Sequence, residues 1–159
     1  MPLCVDKLTS IVEAVDESAR EVFSMMAGET LDRIELQAND SPFAESGPAL
    51  TVILGLTGDL RGSVSLSLVD AASLLWTNRL IDLDLTEVDQ NVIDAVGELG
   101  NMAVGGAKRR LSAEHELTLS LPSVFRGGQE QLVFPSRVRP VRVPYALAGH
   151  SVTAVIALE

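Results

Sequence analysis

The sequence is poor in the residues from which many active sites are built. Of its 159 residues only Cys4 is a cysteine, which excludes an intrachain disulfide and a thiolate metal cage and fits a reducing compartment. Histidine occurs only at His115 and His150. Two isolated histidines without paired spacing make neither a zinc site nor the base of a nucleophilic triad, so no metal of its own is expected. Gly62-Ser-Val-Ser does not fit a nucleophile elbow, and Gly105-Gly-Ala-Lys108 lacks the glycine spacing and hydroxyl residue of a phosphate-binding loop. Basic residues are also scarce: 12 Lys and Arg stand against 22 Asp and Glu, a formal net charge of −10. That balance argues against a nucleic-acid surface, which needs a clustered cationic footprint. The single basic run, Lys108-Arg109-Arg110, lies near a predicted helix C-terminus, where cations complement the dipole; a partner-facing patch is the alternative reading. No apolar run reaches the roughly 18 to 20 residues of a membrane span, and Met1 to Ser10 lack the apolar stretch of a secretion signal. The expectation is a soluble, cytoplasmic protein with no membrane partner.

What remains is a chain that is 47% hydrophobic and only 4% aromatic, so its core is expected from Val, Leu, Ile, Ala and Met. The length suits one domain, residues 1–159. From Thr9, a plausible N-cap, to about Ala27, Ile11, Val12, Val15, Ala19, Val22, Phe23 and Met26 recur at helical spacing, leaving Glu13, Glu17, Arg20 and Glu21 for water. Gly28 is expected to end that helix, with a short strand over Leu31 to Leu36 and a polar loop from Asn39 to Gly47. Leu50 to Leu56 and the alternating Gly62 to Val69 flank the turn residues Thr57-Gly58-Asp59 and predict a hairpin. Asp70 to Ile81 has helical spacing with Asp70 as N-cap and Trp76 as a core plug. Thr86, with Asp89 three residues on, is expected to open a second long helix reaching about Leu111. Strands over Leu117 to Leu121, Val138 to Val143 and Ser151 to Leu158 complete an α/β (α+β) fold, an antiparallel-rich sheet packed against two long helices.

The second long helix carries four glycines, Gly97, Gly100, Gly105 and Gly106, each about 1 kcal/mol worse than Ala in a helix interior. Such a run points to close approach of another backbone or a partner. At about 100° per residue, Val88, Val92, Ala95, Val96, Leu99, Met102 and Ala103 form a core-facing stripe, while Asp94, Glu98, Asn101 and Gly105 fall together on another face. Offsets of 4, 3 and 4 residues set a carboxylate and a carboxamide one turn apart over a patch without side chains. A Glu and an Asn on a helix are by themselves ordinary solvated residues.

The string Asp94-Ala-Val-Gly-Glu98-Leu-Gly-Asn101-Met-Ala-Val-Gly105 resembles the signature of the CheX/CheC/FliY family of chemotaxis phosphatases: Asp or Ser, then Glu four residues later, then Asn three further on. The order of elements is similar as well, from the N-terminal helix through the hairpin and motif helix to Leu121-Pro122-Ser-Val. The resemblance implies a phosphatase acting on the aspartyl phosphate of a CheY-like response regulator, whose own pocket supplies the Mg ion. It implies that Asn101 enters that pocket and orients the attacking water, and that Glu98 docks on the receiver's active-site Lys. A carboxamide suits the first task because it offers a donor and an acceptor without adding charge. Gly100 and Gly105 would keep the helix surface low enough for entry, and Asp94, Gly97 and Lys108 would complete the partner-binding set. The first helix offers Glu13-Ala-Val-Asp16 and Glu17-Ser-Ala-Arg20 but no second Glu-x-x-Asn, which implies the single-site, CheX-like branch and a homodimer formed through sheet edges. A non-catalytic module that docks a receiver or flagellar switch component on the same fold is the alternative.

Overall fold

The computed structural model describes residues 4–35 and 47–159. The polar loop expected from Asn39 and the end of the strand expected to reach Leu36 lie outside the described residues. Helix α1 (Val5–Val22) starts one turn before Thr9, whose hydroxyl donates to the Val5 carbonyl (2.9 Å) instead of capping. The helix passes into a π-helical turn, Phe23–Ala27, and stops at Gly28, which adopts a left-handed φ of 65°. The core-facing stripe expected to run through Met26 does not reach it. The extra residue in that turn shifts the helical phase, so Phe23 and Ala27 face the core while Met26 turns out to water.

Strand β1 (Leu31–Arg33) precedes the hairpin β2 (Ala49–Gly58) and β3 (Gly62–Val69), which leads directly into α2 (Asp70–Ile81). Asp70 is the first helical residue rather than the cap, because Val69 is still extended; its carboxylate instead grips Arg126 through two bonds of 2.5 and 2.7 Å. Helix α3 (Gln90–Leu111) is capped by Asp89, which accepts from the Val92 amide (3.3 Å), three residues later than the Thr86 start expected. Then follow β4 (Leu117–Leu119), β5 (Ser123–Arg126), β6 (Val141–Leu147) and β7 (His150–Leu158).

All strands pair antiparallel in the order β1-β6-β7-β3-β2-β4, with β5 sharing the outer edge of β2. The unanticipated β5 pairs Leu50 to Ile53, and β4 pairs Leu56 to Gly58. Between them Ser120 exchanges bonds with Gly55, amide to carbonyl (3.0 Å) and amide to hydroxyl (2.8 Å), so the interruption between β4 and β5 does not release the edge. Strand β6 runs through Pro144, which reads as a terminator in sequence. Its carbonyl accepts from Ile34 on the β1 side (2.9 Å), and its missing N–H lies on that same edge, so pairing with β7 loses nothing.

The three helices cover one face, over Leu50, Val52, Leu54, Leu66, Leu68, Val152 and Ile156. Trp76 is fully buried, stacks edge-on against Phe23 (5.2 Å between centroids) and donates to the Ala95 carbonyl of α3 (2.7 Å). That bond and one from the Ser18 hydroxyl to the Ala103 carbonyl (2.6 Å) fix α3 against its neighbours. A second buried link ties α1 to the sheet: the Tyr145 hydroxyl donates to Asp16 (2.6 Å), which also lies 3.6 Å from Arg20 and 3.8 Å from Arg33. No helix among the described residues is long and apolar enough to cross a membrane.

Candidate functional site

The four glycines of α3 meet four different surroundings. A Cβ on Gly100 would lie 2.5 Å from Val52 Cγ2 and 3.0 Å from Leu54 Cδ1, so this glycine lets the helix axis settle onto strand β2. The expectation that Gly100 lowers the partner-facing surface is therefore corrected: it is buried, and it looks into the core. Gly106 faces Ser18 of α1 and permits the close crossing of the two long helices. Gly97 is buried beneath Val124 of β5, with 3.6 Å between a Cβ there and the valine methyl. Gly105 alone points at open space, its nearest neighbour being Arg109 Nη1 at 3.8 Å from a Cβ there.

On the outward side, Asp94, Glu98 and Asn101 are all exposed. Asp94 accepts from the Gln90 carboxamide one turn earlier (2.8 Å). Glu98 and Asn101 have no side-chain hydrogen bond or ion pair among the described residues, so their polar atoms are left to water or to a partner. They stand on a ridge between two open clefts. One, of about 360 Å³, is floored by Gly97 and walled by Ile93, Asp94, Pro122 and Val124. The other, of about 400 Å³, lies between α3 and the end of α1 and is lined by Met25, Met26, Met102, Arg109 and Arg110. Glu98 and Asn101 border both.

This arrangement can enter a concave partner. A helix ridge carrying one anion and one neutral donor and acceptor, with depressions on either side, is the shape of an insert rather than of a substrate pocket. Among the described residues no group of three His, Cys, Asp or Glu side chains is placed to hold a metal ion. Lys108 lines neither cleft.

Three features escaped the sequence reading. Met25 and Met26, 74% and 45% exposed, form an apolar wall that only the π-helical turn brings outward. Pro122 and Val124 reach the ridge because β5 adds to β2. Arg109 and Arg110 differ completely although adjacent: Arg110 is bound by Glu17, Glu21 and the Gly106 carbonyl, whereas Arg109 has no ion pair among the described residues. A run of three basic residues carries no signal of that difference.

The family profile of the chemotaxis phosphatase CheX matches residues 50–146. Curated protein sequences give no match. Among solved structures, a CheC-like superfamily protein from Shewanella sp. PV-4 superposes with a TM-score of 0.83 at 23% identity, covering 99% of this chain and 99% of that one. The chemotaxis protein CheX from Vibrio vulnificus gives 0.81 at 22% identity over 94% and 96% of the two chains. A complex of CheX with CheY, BeF3 and Mg from Borrelia burgdorferi gives 0.76 at 18% identity over 98% and 99%. At these identities the superpositions speak to the fold.

Proposed function

The chain belongs to the CheX family of chemotaxis phosphatases, and on that premise we propose that it hydrolyses the aspartyl phosphate of a CheY-like receiver domain through Glu98 and Asn101. The observation that carries the reading is the ridge itself. Two exposed polar side chains, one turn apart and without partners among the described residues, project between two clefts from a helix held rigidly by the core.

In the docked state the Asn101 carboxamide accepts a hydrogen bond from a water and holds its oxygen in line with the aspartyl P–O bond. The water oxygen forms the new bond to phosphorus and the P–O bond to the aspartate breaks, leaving a free carboxylate and inorganic phosphate that retains the water's protons between them. Asn101 removes no proton. Its contribution is position, and the neutral amide adds no repulsion beside the phosphoryl oxygens. Glu98 pairs with the receiver's active-site lysine and sets the depth of insertion. The Mg ion that screens the phosphoryl group in this reading is the receiver's own.

Decay of a phosphorylated CheY-type receiver, with and without the protein, tests the proposal. Asn101→Ala is expected to lower the rate about a hundredfold or more while leaving binding of a BeF3-loaded receiver nearly intact. Binding without acceleration by the unaltered protein would establish a non-catalytic docking module instead. The reading includes a cytoplasmic site of action and a homodimer. In support of the latter, β1 covers only the Tyr145 to Leu147 end of β6, and the Val141 to Val143 end has no outer strand among the described residues. Light scattering of the purified protein measures that state.

A further inference from the structure

Resting on the reading of the α3 ridge as the receiver-docking surface, we propose that Arg109 is its orientation residue: the guanidinium engages a carboxylate at the rim of the receiver's phosphorylation pocket. With Glu98 it decides which way round the receiver lies along the helix.

Four observations carry this. The offsets Asp94, Glu98, Asn101, Gly105 continue by one further turn to Arg109, about 22 Å from end to end at helical rise. The guanidinium folds back along the helix, so that Nη1 sits over the bare position of Gly105 rather than trailing into solvent. It lines the same cleft as Glu98 and Asn101. Unlike Arg110, which Glu17 and Glu21 neutralise, it has no ion pair among the described residues.

The strip is therefore polar along its length, with two carboxylates at one end, a neutral carboxamide in the middle and an unneutralised cation at the other. A pocket that phosphorylates an aspartate and holds Mg is rimmed by carboxylates, since oxygen ligands are what that ion requires. One orientation of such a pocket sets its lysine on Glu98 and a rim carboxylate on Arg109. The reverse orientation sets like charges against each other at both ends and is disfavoured. Because the contact is made on docking, it acts on association and affinity and not on the bond-breaking step.

The test measures phosphoryl decay of a CheY-type receiver, charged with acetyl phosphate, over a range of receiver concentrations for Arg109→Lys, Arg109→Ala and Arg109→Glu. Expected are KM values near the unaltered protein for Lys, about three- to fivefold higher for Ala and higher again for Glu, with kcat within about twofold throughout. The differences should shrink in about 0.5 M salt, as a partly exposed pair requires. A fall in kcat at constant KM would overturn the proposal by placing Arg109 at the phosphoryl group, and unchanged constants would overturn it outright. Should the unaltered protein bind the receiver without accelerating decay, the phosphatase reading fails alone. The Lys, Ala, Glu order is then read in the dissociation constant for the BeF3-loaded receiver, where a flat series overturns the orientation role. Unfolding midpoints followed by Trp76 fluorescence control for folding.

Discussion

Replacing Gly105 by alanine is expected to make the protein more stable and a poorer phosphatase. In a helix interior Gly is about 1 kcal/mol less favourable than Ala. Position 105 is helical, and outside the helix's own backbone the new methyl would meet, within 4 Å among the described residues, just Arg109 Nη1 at 3.8 Å, an ordinary contact. Nothing opposes the propensity gain, so Gly105→Ala should stabilise by about 1 kcal/mol and raise Tm by about 2–4 °C. Gly100→Ala, five residues earlier in the same helix, carries the same intrinsic gain with the opposite outcome. Its methyl would stand 2.5 Å from Val52 Cγ2 and 3.0 Å from Leu54 Cδ1. Those side chains are 0% and 1% exposed on a strand paired along both edges, so they cannot swing away. Overpacking of about 1–3 kcal/mol then offsets or exceeds the gain, and the net change falls between about zero and 2 kcal/mol of destabilisation. Urea unfolding followed by the fluorescence of Trp76, the single and fully buried tryptophan, reads both variants. Receiver dephosphorylation by Gly105→Ala should fall several-fold despite the added stability, since the methyl rises where the partner must pass. Equal stabilities of the two variants would refute the packing argument, and a stabilised Gly105→Ala with unchanged KM would refute the clearance role of this glycine.

Three further outcomes follow from the described contacts. Trp76→Phe keeps the ring against Phe23 but removes the donor to the Ala95 carbonyl, and should destabilise by about 1–3 kcal/mol in urea titrations followed by circular dichroism. Ala148, held at φ 50° in the tight turn between β6 and β7, should gain about 0.5–1 kcal/mol on replacement by Asn, which accepts left-handed backbone more readily. Burial, then the hydrogen bond to Asp16, raises the Tyr145 pKa far above its ordinary value near 10, and the nearby Arg33 and Arg20 only partly oppose this. The unfolded chain ionises first. The stabilisation is thus complete below about pH 10 and is lost above it, at about 1.4 kcal/mol per pH unit. Tyr145 is the only tyrosine, so phenolate absorbance should appear only on alkaline unfolding, and Tyr145→Phe should flatten the pH dependence. Phenolate absorbance rising near pH 10 in the folded protein would refute this.

Local pattern determined a good deal of this protein. Helical spacing in α1, α2 and α3 and the alternation in β3 placed the main elements, and offsets of 4, 3 and 4 residues put Asp94, Glu98, Asn101 and Gly105 on one outward face. Those inferences succeed because the 3.6-residue period and the strand pleat are set by the backbone within a few residues. The same local rules stopped at Thr86, Pro144 and Met26. A cap forms where the helix is anchored, a proline is tolerated where its edge needs no donor, and a π-helical turn changes phase under packing from outside the segment.

Other roles were decided only by tertiary structure. Gly100 and Gly105 are indistinguishable in sequence, and contact with Val52 assigns one to the core while open space leaves the other on the ridge. Arg109 and Arg110 are adjacent and chemically identical. Glu21, 89 residues before Arg110, neutralises it and leaves Arg109 unpaired among the described residues. Spacing along a helix determines which side chains share a face. What that face meets, and whether its charges are already matched, depends on groups that only the folded chain brings within reach.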